Sequence, residues 1–449
     1  MADIRPFRGV RYNESLIEDW SAVLCPPYDI ISLQQQEELY QKSQYNYIRI
    51  ESGRELPQDT SGDNKYTRAA GVMQEWLEEG VFRTEGEPAL YLHDHYFTRR
   101  GREYKRRSLI ARVRLEEWDK MIVRPHEGTL TEARGDRLSL LFTMRANTSP
   151  VLAMYEDSGT QIASLLREQA KATPLVHTEK DEGESHDMWV ITDTGAIDTV
   201  CRILVNRPLY IADGHHRYES ALAYRNEQRA LSQADSPDAP YNFVMMSLVD
   251  FTDPGLLILA PHRLVRGIPR STVDELHTKL SSFFTIEESP RKGEGIRERI
   301  EDLLIHTSKV RIILFGLDPD TLDILTLNEP DAVRAMMPYF HSEYYRNLDV
   351  SIVDHVILEN LLALSSEKEK TNLAFDYDMN DAIERVLRQE FQLALLVSPV
   401  RPDIIKSIAD TGDKMPRKST YFYPKTPSGL VINRLDTDQN PAIETHPRT

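Results

Sequence analysis

The stretch Leu209–Arg225 constrains the fold of this chain more than any other segment. An apolar run ends at Leu209–Ile211, Gly214 follows, and from His216 to Arg229 the apolar residues recur at helical spacing. When a strand leads through a glycine turn into a helix, the first N–H groups of the helix lack backbone partners and point towards one spot. The sequence therefore predicts a strand, a turn and a helix that together bind an anion.

The side chains of this turn suit a phosphate group. Gly214 allows the backbone to approach closely, and Arg217 can donate two hydrogen bonds to phosphate oxygens. His215 or His216 can donate further hydrogen bonds or move a proton near neutral pH. Asp213 could hold a metal ion or act as a base. The alternative is structural: Asp213 caps the helix, and the two histidines pack against neighbouring residues.

The net charge argues against some functions. The chain has 54 Lys and Arg residues against 71 Asp and Glu residues, and the resulting charge of −17 repels nucleic acid and anionic lipid headgroups. Hydrophobic residues make up 40% of the 449 positions, which can fill the cores of a few domains of roughly 150 residues each. We therefore expect a globular protein for which nucleic acid is an unlikely general partner.

Cysteine usage and the amino terminus favour the cytoplasm. Cys25 and Cys201 are the only cysteines and lie far apart in the sequence, which indicates neither a disulfide framework nor a cysteine zinc site. The first ten residues lack the apolar core of a signal peptide, and no run approaches the roughly 20 apolar residues that cross a bilayer. We expect a cytoplasmic protein without a membrane partner, and its oligomeric state stays open.

Periodicity predicts a mixed α+β fold. A helix over Lys65–Glu79, ended by Gly80, precedes a hairpin formed by Ala89–Phe97 and Arg107–Leu115. By the same criteria, further strands are predicted at Phe243–Val249, Leu256–Ala260, Val310–Phe315 and Gln392–Val397, and helices at Val273–Phe283, Ile296–Ile305 and Ile352–Leu364. The change to amphipathic helices beyond Arg266 predicts domains of residues 1–266 and 267–435, followed by a polar tail at 436–449.

A second polar segment, His126–Arg137, gathers the side chains that a phosphoryl-transfer site needs. It offers the imidazole of His126, the carboxylates of Glu127 and Asp136, two hydroxyl groups, and guanidinium groups such as that of Arg137. Such a site needs a base for the attacking hydroxyl, cations for the phosphates and carboxylates for magnesium. The alternative is a solvated loop whose charges pair with one another.

A third segment, Met415–Lys425, carries Lys418, Ser419, Thr420 and Lys425 beside aromatic residues. The lysines could bind phosphate as point charges, while the hydroxyls orient a substrate or a metal ion. The alternative is an ordinary half-buried strand with solubilising lysines at its ends.

Two smaller features are weaker candidates for a site. His93 and His95 lie on one face of the predicted hairpin and, with His126 or His216, could hold a metal ion, although most such pairs are not ligands. The rigid turn Pro26-Pro27-Tyr28-Asp29 could lend Asp29 to the site, or it could be a purely structural turn.

The turn Asp213–Arg217 is similar to the phosphate-binding turn of the ParB and sulfiredoxin superfamily, which includes archaeal free-serine kinases that phosphorylate serine from a nucleotide. In that superfamily the matching turn holds nucleotide phosphates. The resemblance covers little more than the turn with its strand and helix. It implies a nucleotide site here, with ATP or ADP and Mg²⁺ as cofactors.

Over nearly its full length the chain resembles the bacterial and archaeal family known as domain of unknown function 1015. The matching stretches are Pro6-Phe7-Arg8, Pro26-Pro27-Tyr28-Asp29, His126-Glu127-Gly128-Thr129, Asp136-Arg137, Ala212–Tyr218, Lys418-Ser419-Thr420 and Pro424-Lys425. Where that family commonly has a lysine two residues before the Asp-Arg pair, this chain has Arg134, which keeps the charge but not the geometry of lysine. A catalytic role for position 134 is therefore not carried over.

Together, the residues and resemblances predict an α+β enzyme with a ParB/sulfiredoxin-like phosphate-binding core and a second α/β part on the C-terminal side. We expect the active site in the cleft between the parts, with Lys418 and Lys425 contributed from the end of the chain. The predicted catalytic residues are Asp213, His216, Glu127 and His126. The predicted phosphate or nucleotide ligands are Gly214, His215, His216, Arg217, Arg137, Lys418, Ser419, Thr420 and Lys425, and the predicted metal ligands are Asp213 and Asp136.

The function that the kinase resemblance implies is phosphoryl transfer from a nucleotide to the hydroxyl of a small metabolite, with free serine as the leading acceptor. A second hypothesis is hydrolysis of a small phosphomonoester such as phosphoserine at the same anion site. A third is a non-catalytic, ParB-like regulator that binds nucleotide or nucleic acid, although the charge of −17 disfavours DNA. Dependence on a nucleotide separates the first two hypotheses.

Overall fold

The computed structural model describes residues 1–129, 131–179, 183–231, 236–291, 295–305 and 309–436 of this α+β protein. It divides into a first compact unit of residues 1–125, 129–256 and 424–449 and a second unit of residues 126–128 and 257–423. The sequence pattern instead predicts a division near Arg266, with 267–435 in the second domain. The segment from Pro424 lies in the first unit because its backbone pairs there, as in the bridge between Val10 and Ile432. Of the predicted tail, 437–449 lie outside the described residues.

The strands are short in most places, and the longest two form a hairpin. In chain order they are β1 Ile4–Arg5, β2 Val10–Tyr12, β3 Phe82–Thr84, β4 Leu90–Arg99, β5 Arg102–Arg114, β6 Val123–Arg124, β7 Ala146–Asn147, β8 Val151–Tyr155, β9 Val176–His177, β10 Glu184–Ile191, β11 Leu209–Asp213, β12 Phe243–Asp250, β13 Leu257–Leu259, β14 His262–Val265, β15 Phe284–Pro290, β16 Arg311–Phe315, β17 Thr321–Leu327, β18 Leu373–Asp376, β19 Leu393–Leu396, β20 Tyr421–Tyr423 and β21 Asn433–Arg434.

The helices range from a single turn to almost five turns. In chain order they are α1 Leu33–Lys42, α2 Ile48–Glu51, α3 Lys65–Glu78, α4 Thr131–Met144, α5 Gln161–Gln169, α6 Thr194–Leu204, α7 His215–Leu231, α8 Arg270–Leu280, α9 Ile296–Ile305, α10 Pro330–Ala335, α11 Glu343–Arg346, α12 Asp349–Ile352, α13 Ser366–Asn372, α14 Met379–Leu387 and α15 Pro402–Asp410. A π-helical segment, Val353–Leu361, continues α12. Within the described ranges, every helix is too short or too polar to span a lipid bilayer.

The first unit is built on a mixed sheet in the order β6-β11-β8-β12-β5-β4-β10-β9, with β1 added on β5. Successive side chains of a strand point to opposite faces, so β5 places Leu109, Ala111 and Val113 in one apolar core and Ile110 in the other. Tyr218 of α7 packs into the first of these cores. Because both faces of the sheet are buried in these cores, the positions of its strands are fixed, including the position at which β11 ends.

Several predicted elements of the first unit are confirmed. Helix α3 starts with a capping box of Asn64 and Thr67 and is followed by Gly80 at φ +75°, the left-handed conformation typical of a residue just after a helix. The hairpin of β4 and β5 pairs in register from Tyr91 with Ile110 to Arg99 with Arg102. The solvated-loop alternative for His126–Arg137 is wrong beyond Thr131, because residues from there to Met144 form α4.

The second unit contains a six-stranded sheet in the order β15-β17-β16-β19-β14-β18. Apolar side chains of α9 and α14, such as Ile300 and Ile383, pack with Ile313 and Ile324 of the sheet in one core. The predicted helix α9 and the predicted strands β16 and β19 are confirmed. A separate two-stranded sheet of β13 and β20 buries Phe422, so the half-buried strand predicted for the third polar segment is also present.

Candidate functional site

The predicted strand, turn and helix are present in the first unit. Strand β11 ends at Asp213, Gly214 has φ +91°, and α7 begins at His215. A positive φ is ordinary for glycine and strained for residues with a Cβ atom, which explains the glycine at this position. Of the two histidines that follow, His215 is buried and His216 is half-buried.

Asp213 lies between two cations. Its Oδ2 accepts a hydrogen bond of 2.7 Å from Nη2 of Arg217, and its Oδ1 is ion-paired with Nζ of Lys425, far along the chain. The same lysine lies 3.6 Å from Oδ2 of Asp29. Burial raises the pKa of Asp213, but Lys425 and Arg217 outweigh it and hold the pKa well below its ordinary value. Asp213 is therefore a carboxylate anion that organises two cations.

Arg217 folds back over the turn. Its Nη1 donates to the carbonyl oxygen of Pro150, and its Nε is buried without a hydrogen-bond partner among the described residues. A Cβ atom at Gly214 would lie 2.8 Å from this Nε, so only glycine leaves room for the guanidinium group. An unsatisfied buried donor costs about 1 to 3 kcal/mol, so this N–H group favours any ligand that brings an acceptor.

A small cavity of about 30 Å³ lies beside Arg217 in the first unit. Its polar lining combines two guanidinium groups with hydroxyl and amide groups, and Leu140, Leu141, Ala146 and Val244 supply apolar contacts. The polar side chains are those of Arg137, Arg217, Asn147, Thr148, Ser149 and Ser220. A small pocket with a few convergent polar groups and positive charge is suited to an anionic ligand.

Glu51, which supports the wall of this pocket, was not predicted from the sequence. It is fully buried, and its carboxylate accepts hydrogen bonds from Oγ of Ser149 at 3.1 Å and Oγ1 of Thr148 at 3.2 Å. Nη1 of Arg137 lies 3.7 Å from the same carboxylate. The available signal was a carboxylate that directly follows the alternating apolar residues Ile48 and Ile50. Glu51 thus holds three residues of the pocket wall in place.

The predicted residues Asp136 and Arg137 form an ion pair in α4. The guanidinium group of Arg137 also stacks on the ring of Tyr28 at 3.9 Å. Nζ of Lys65 lies 2.8 Å from Asp136, and the hydroxyl of Tyr66 donates to it at 2.9 Å. Burial alone would raise the pKa of Asp136, but Arg137 and Lys65 lower it to about 2. Both predicted metal ligands, Asp136 and Asp213, are thus ionised and paired with cations.

Arg134, which stands where the resembled family commonly has a lysine, lies in the first turn of α4. Its side chain is nearly half exposed and reaches Oε2 of Glu219 at 3.8 Å. Thr129 donates to the same carboxylate, and Ser220 donates to the carbonyl oxygen of Arg134. These contacts join α4 to α7 and give Arg134 a structural role.

In the second unit, the predicted residues His126 and Glu127 meet the segment that contains Ser419 and Thr420. Oε1 of Glu127 accepts hydrogen bonds from the backbone N–H groups of Ser419 and Thr420, both at 3.2 Å, and from Oγ1 of Thr420 at 3.0 Å. Nε2 of His126 lies 3.0 Å from the same hydroxyl. Lys418 is exposed at φ +57°. The structure thus joins the beginning of the second polar segment to the third.

His93 and His95 have described partners within the first unit. His186 lies 3.2 Å from His93, and Oε2 of Glu184 lies 2.8 Å from Nε2 of His95. Arg106 approaches Nδ1 of His95 at 3.3 Å. Because arginine can only donate, Nδ1 accepts and Nε2 carries the proton that it donates to Glu184. This network is satisfied by hydrogen bonds, so a metal ion is not needed to explain these histidines.

Comparisons with known proteins identify a family. The profile described as "Protein of unknown function (DUF1015)" matches residues 4–351, and a search of curated proteins gives no match. Among solved structures, a conserved hypothetical protein from Pyrococcus furiosus is 12% identical, with a TM-score of 0.34 over 73% of this chain and 95% of its own.

Two further solved structures show a comparable likeness. A free serine kinase in complex with AMP is 12% identical, with a TM-score of 0.34 over 72% of this chain and 92% of its own. SbnI with C-terminal truncation from Staphylococcus aureus is 10% identical, with a TM-score of 0.35 over 74% and 90% of the two chains. At these TM-scores the likeness carries no functional argument.

Proposed function

The chain belongs to the DUF1015 family, and we propose that it is a nucleotide-dependent phosphotransferase whose first unit binds the nucleotide phosphates. One observation carries the proposal: the buried Nε of Arg217, at a glycine turn beside the pocket, lacks a hydrogen-bond partner among the described residues. A phosphate oxygen supplies the missing acceptor and a negative charge. This use of the turn is also what its resemblance to the ParB and sulfiredoxin superfamily implies.

The surroundings of Arg217 suit an anion that carries more than one negative charge. Arg137 and Arg217 both line the pocket, and α7 directs the N–H groups of its first turn towards its amino-terminal end. Lys425 adds a third cation beside Asp213. Phosphates bound here would contact Arg217, Gly214 and the N–H groups of His215 and His216.

Magnesium would accompany the nucleotide and neutralise part of its charge. Asp213 and Asp136 are the carboxylates that fit it, because their low pKa values keep them ionised. Each would exchange a lysine or arginine partner for the metal ion. The same low pKa makes both of them weak bases, so the proton of the acceptor hydroxyl requires another group.

Glu127, a catalytic residue predicted from the sequence, is the proposed general base, and a small hydroxylated metabolite, with free L-serine as the leading candidate, is the proposed acceptor. The acceptor oxygen forms a bond to the terminal phosphorus, the bond from that phosphorus to the nucleotide breaks, and the hydroxyl proton passes to the carboxylate of Glu127. The hydrogen bonds from Ser419 and Thr420 orient this carboxylate without neutralising it.

The test has a binding part and a turnover part. Thermal shift is measured with ATP, ADP, AMP, serine and phosphoserine, each with and without Mg²⁺, because a ligand that binds the folded state raises Tm. Phosphorus NMR then follows each nucleotide incubated with serine. A nucleotide-induced shift and nucleotide-dependent formation of phosphoserine are expected.

Two outcomes would contradict the proposal. Release of inorganic phosphate from phosphoserine without a nucleotide would identify a phosphatase instead. If a nucleotide raises Tm but no hydroxylated metabolite is phosphorylated, the chain would instead be a nucleotide-binding regulator. Arg217→Lys is the matched variant for the binding part, since it keeps the charge and loses the forked geometry.

A further inference from the structure

A second cluster of ligating side chains lies in the second unit and is independent of the proposed phosphate site. It consists of His277 on α8, Glu288 on β15 and Asp323 on β17. Glu288 and Asp323 are direct cross-strand partners, and α8 buries Leu276 and Leu280. One ligating atom from each of the three residues lies within 4.8 Å of the others, and Nε2 of His277 is 3.9 Å from Oε1 of Glu288.

Asp323 is the residue that makes this cluster unusual. Only 4% of it is exposed, and its Oδ2 is buried without a hydrogen-bond partner among the described residues. Its cross-strand partner Glu288 places a second carboxylate directly opposite it. Like charges directly opposite each other in a sheet are destabilising. A carboxylate in this setting destabilises the fold unless a cation is added.

We propose that His277, Glu288 and Asp323 bind a divalent transition-metal ion such as Zn²⁺ or Mn²⁺. One imidazole and two carboxylates form a mixed nitrogen and oxygen donor set that suits these ions. Bonds of about 2.0 to 2.2 Å require ligating atoms roughly 3 to 4 Å apart, so a small movement completes the site. The side chains of His277 and Glu288 are 47% and 63% exposed, which allows that movement and leaves coordination positions for water.

The metal ion would act as a cross-link within the second unit. It connects α8 to β15 and β17 through one side chain from each element. The bound ion supplies the missing positive charge beside Asp323 and removes its repulsion with Glu288. Binding of the ion is therefore coupled to the stability of this unit.

The other described cluster with suitable donors, His95, Glu184 and His186, differs in one respect. Arg106 donates to Nδ1 of His95, which fixes the proton on Nε2, the atom that faces Glu184. A metal ion at Nε2 would force the proton onto Nδ1, against the buried arginine. We expect no metal binding there, and Glu184→Gln is a matched control for the proposed site.

The experiment is a titration of the EDTA-treated full chain with ZnCl₂ and MnCl₂ by calorimetry, with cobalt absorption as a direct probe of the ligands. The expected result is one ion bound per chain. Asp323→Asn should weaken binding at least about 100-fold, because loss of even an outer partner of a metal site costs 10- to 100-fold. His277→Ala should weaken it as well, whereas Glu184→Gln should not. Equal affinity in wild type, Asp323→Asn and His277→Ala would overturn the proposal.

Thermal unfolding provides a second, independent readout. Without metal, Asp323→Asn should have a higher Tm than wild type, because it removes an unpaired buried charge. With metal, the Tm of wild type should rise while that of Asp323→Asn stays unchanged. A lower Tm of the variant without metal, together with a metal-induced shift equal to that of wild type, would assign Asp323 a structural role and refute the site. His277 is exposed, so its alanine variant should fold and keep the titration interpretable.

Discussion

Asp213 in the first unit and Glu127 in the second were both predicted as site carboxylates, but their partners differ. Asp213 is ion-paired with Arg217 and Lys425, whereas Glu127 accepts hydrogen bonds from uncharged groups of Ser419 and Thr420. Ion pairs favour the charged form of a carboxylate and reduce its tendency to take a proton. Hydrogen bonds from uncharged donors also favour the charged form, but they orient the carboxylate without adding a countercharge.

Because their partners differ, Asp213 and Glu127 have different roles in the proposed reaction. The first unit gathers cations around a carboxylate that stays ionised, which suits the binding of phosphates and magnesium. The second unit presents an oriented carboxylate, which suits proton transfer. The comparison therefore predicts that substitutions in the first unit change nucleotide affinity and that substitutions in the second change turnover.

The largest effect is expected for Glu127→Gln, which keeps the shape of the side chain but cannot take the hydroxyl proton. Turnover with serine and nucleotide should fall by about 10²- to 10⁴-fold, the usual contribution of a general base. Nucleotide affinity, measured by calorimetry, should stay unchanged. Glu184→Gln is the control carboxylate and should keep full turnover. If Glu127→Gln keeps wild-type turnover, Glu127 is not the general base, and the proposed difference in role between Glu127 and Asp213 is wrong.

The next effect concerns Arg217. Arg217→Lys and Arg217→Ala should weaken nucleotide binding by roughly 10- to 100-fold, because a hydrogen bond to a charged group contributes about 1.5 to 3 kcal/mol. Calorimetry should show the loss in Kd, with the larger loss in the alanine variant. Both variants should keep wild-type metal binding at His277, Glu288 and Asp323. Unchanged nucleotide affinity in both would leave the turn with a structural role only.

The sequence could predict the local part of this site, and Lys425 as a member of it, but not which distant residues pair with one another. The pattern around Gly214 predicts the strand, the turn and the helix because each depends on residues next to it in the chain. It could not show that Lys425 pairs with Asp213, or that Glu51 supports Arg137, because those contacts depend on how the sheet is ordered. The cross-strand register that brings Glu288 against Asp323 is non-local in the same way.

A smaller effect is expected for Gly214→Ala, and the chain offers a matched control. Gly214 and Gly101 both have positive φ values, +91° and +74°, so alanine strains the backbone at either position. At Gly214 a Cβ atom would lie 2.8 Å from Nε of Arg217, whereas at Gly101 it would meet no atom within 4 Å. Both variants should lose stability, measured by urea unfolding. Only Gly214→Ala should lose nucleotide affinity, on the order of tenfold. Equal affinity in the two variants would show that the position of Arg217 does not limit binding.

The smallest effect is a pH dependence in the first unit that arises from the pairing of Asp136 with Arg137 and Lys65. The folded-state pKa of Asp136 is about 2, below its ordinary value of 3.8, so the unfolded chain binds a proton at this position more readily. The ion pairs therefore stabilise the folded state above about pH 4 and lose that contribution as the pH falls towards 2. Because the group is partly exposed, the contribution is roughly 1 to 2 kcal/mol. The difference in free energy of unfolding between wild type and Asp136→Asn should shrink over this interval in urea titrations. A difference that stays constant with pH would mean that Asp136 stabilises α4 by hydrogen bonding alone. Asp213 would then be the one ion-paired carboxylate left in the comparison with Glu127.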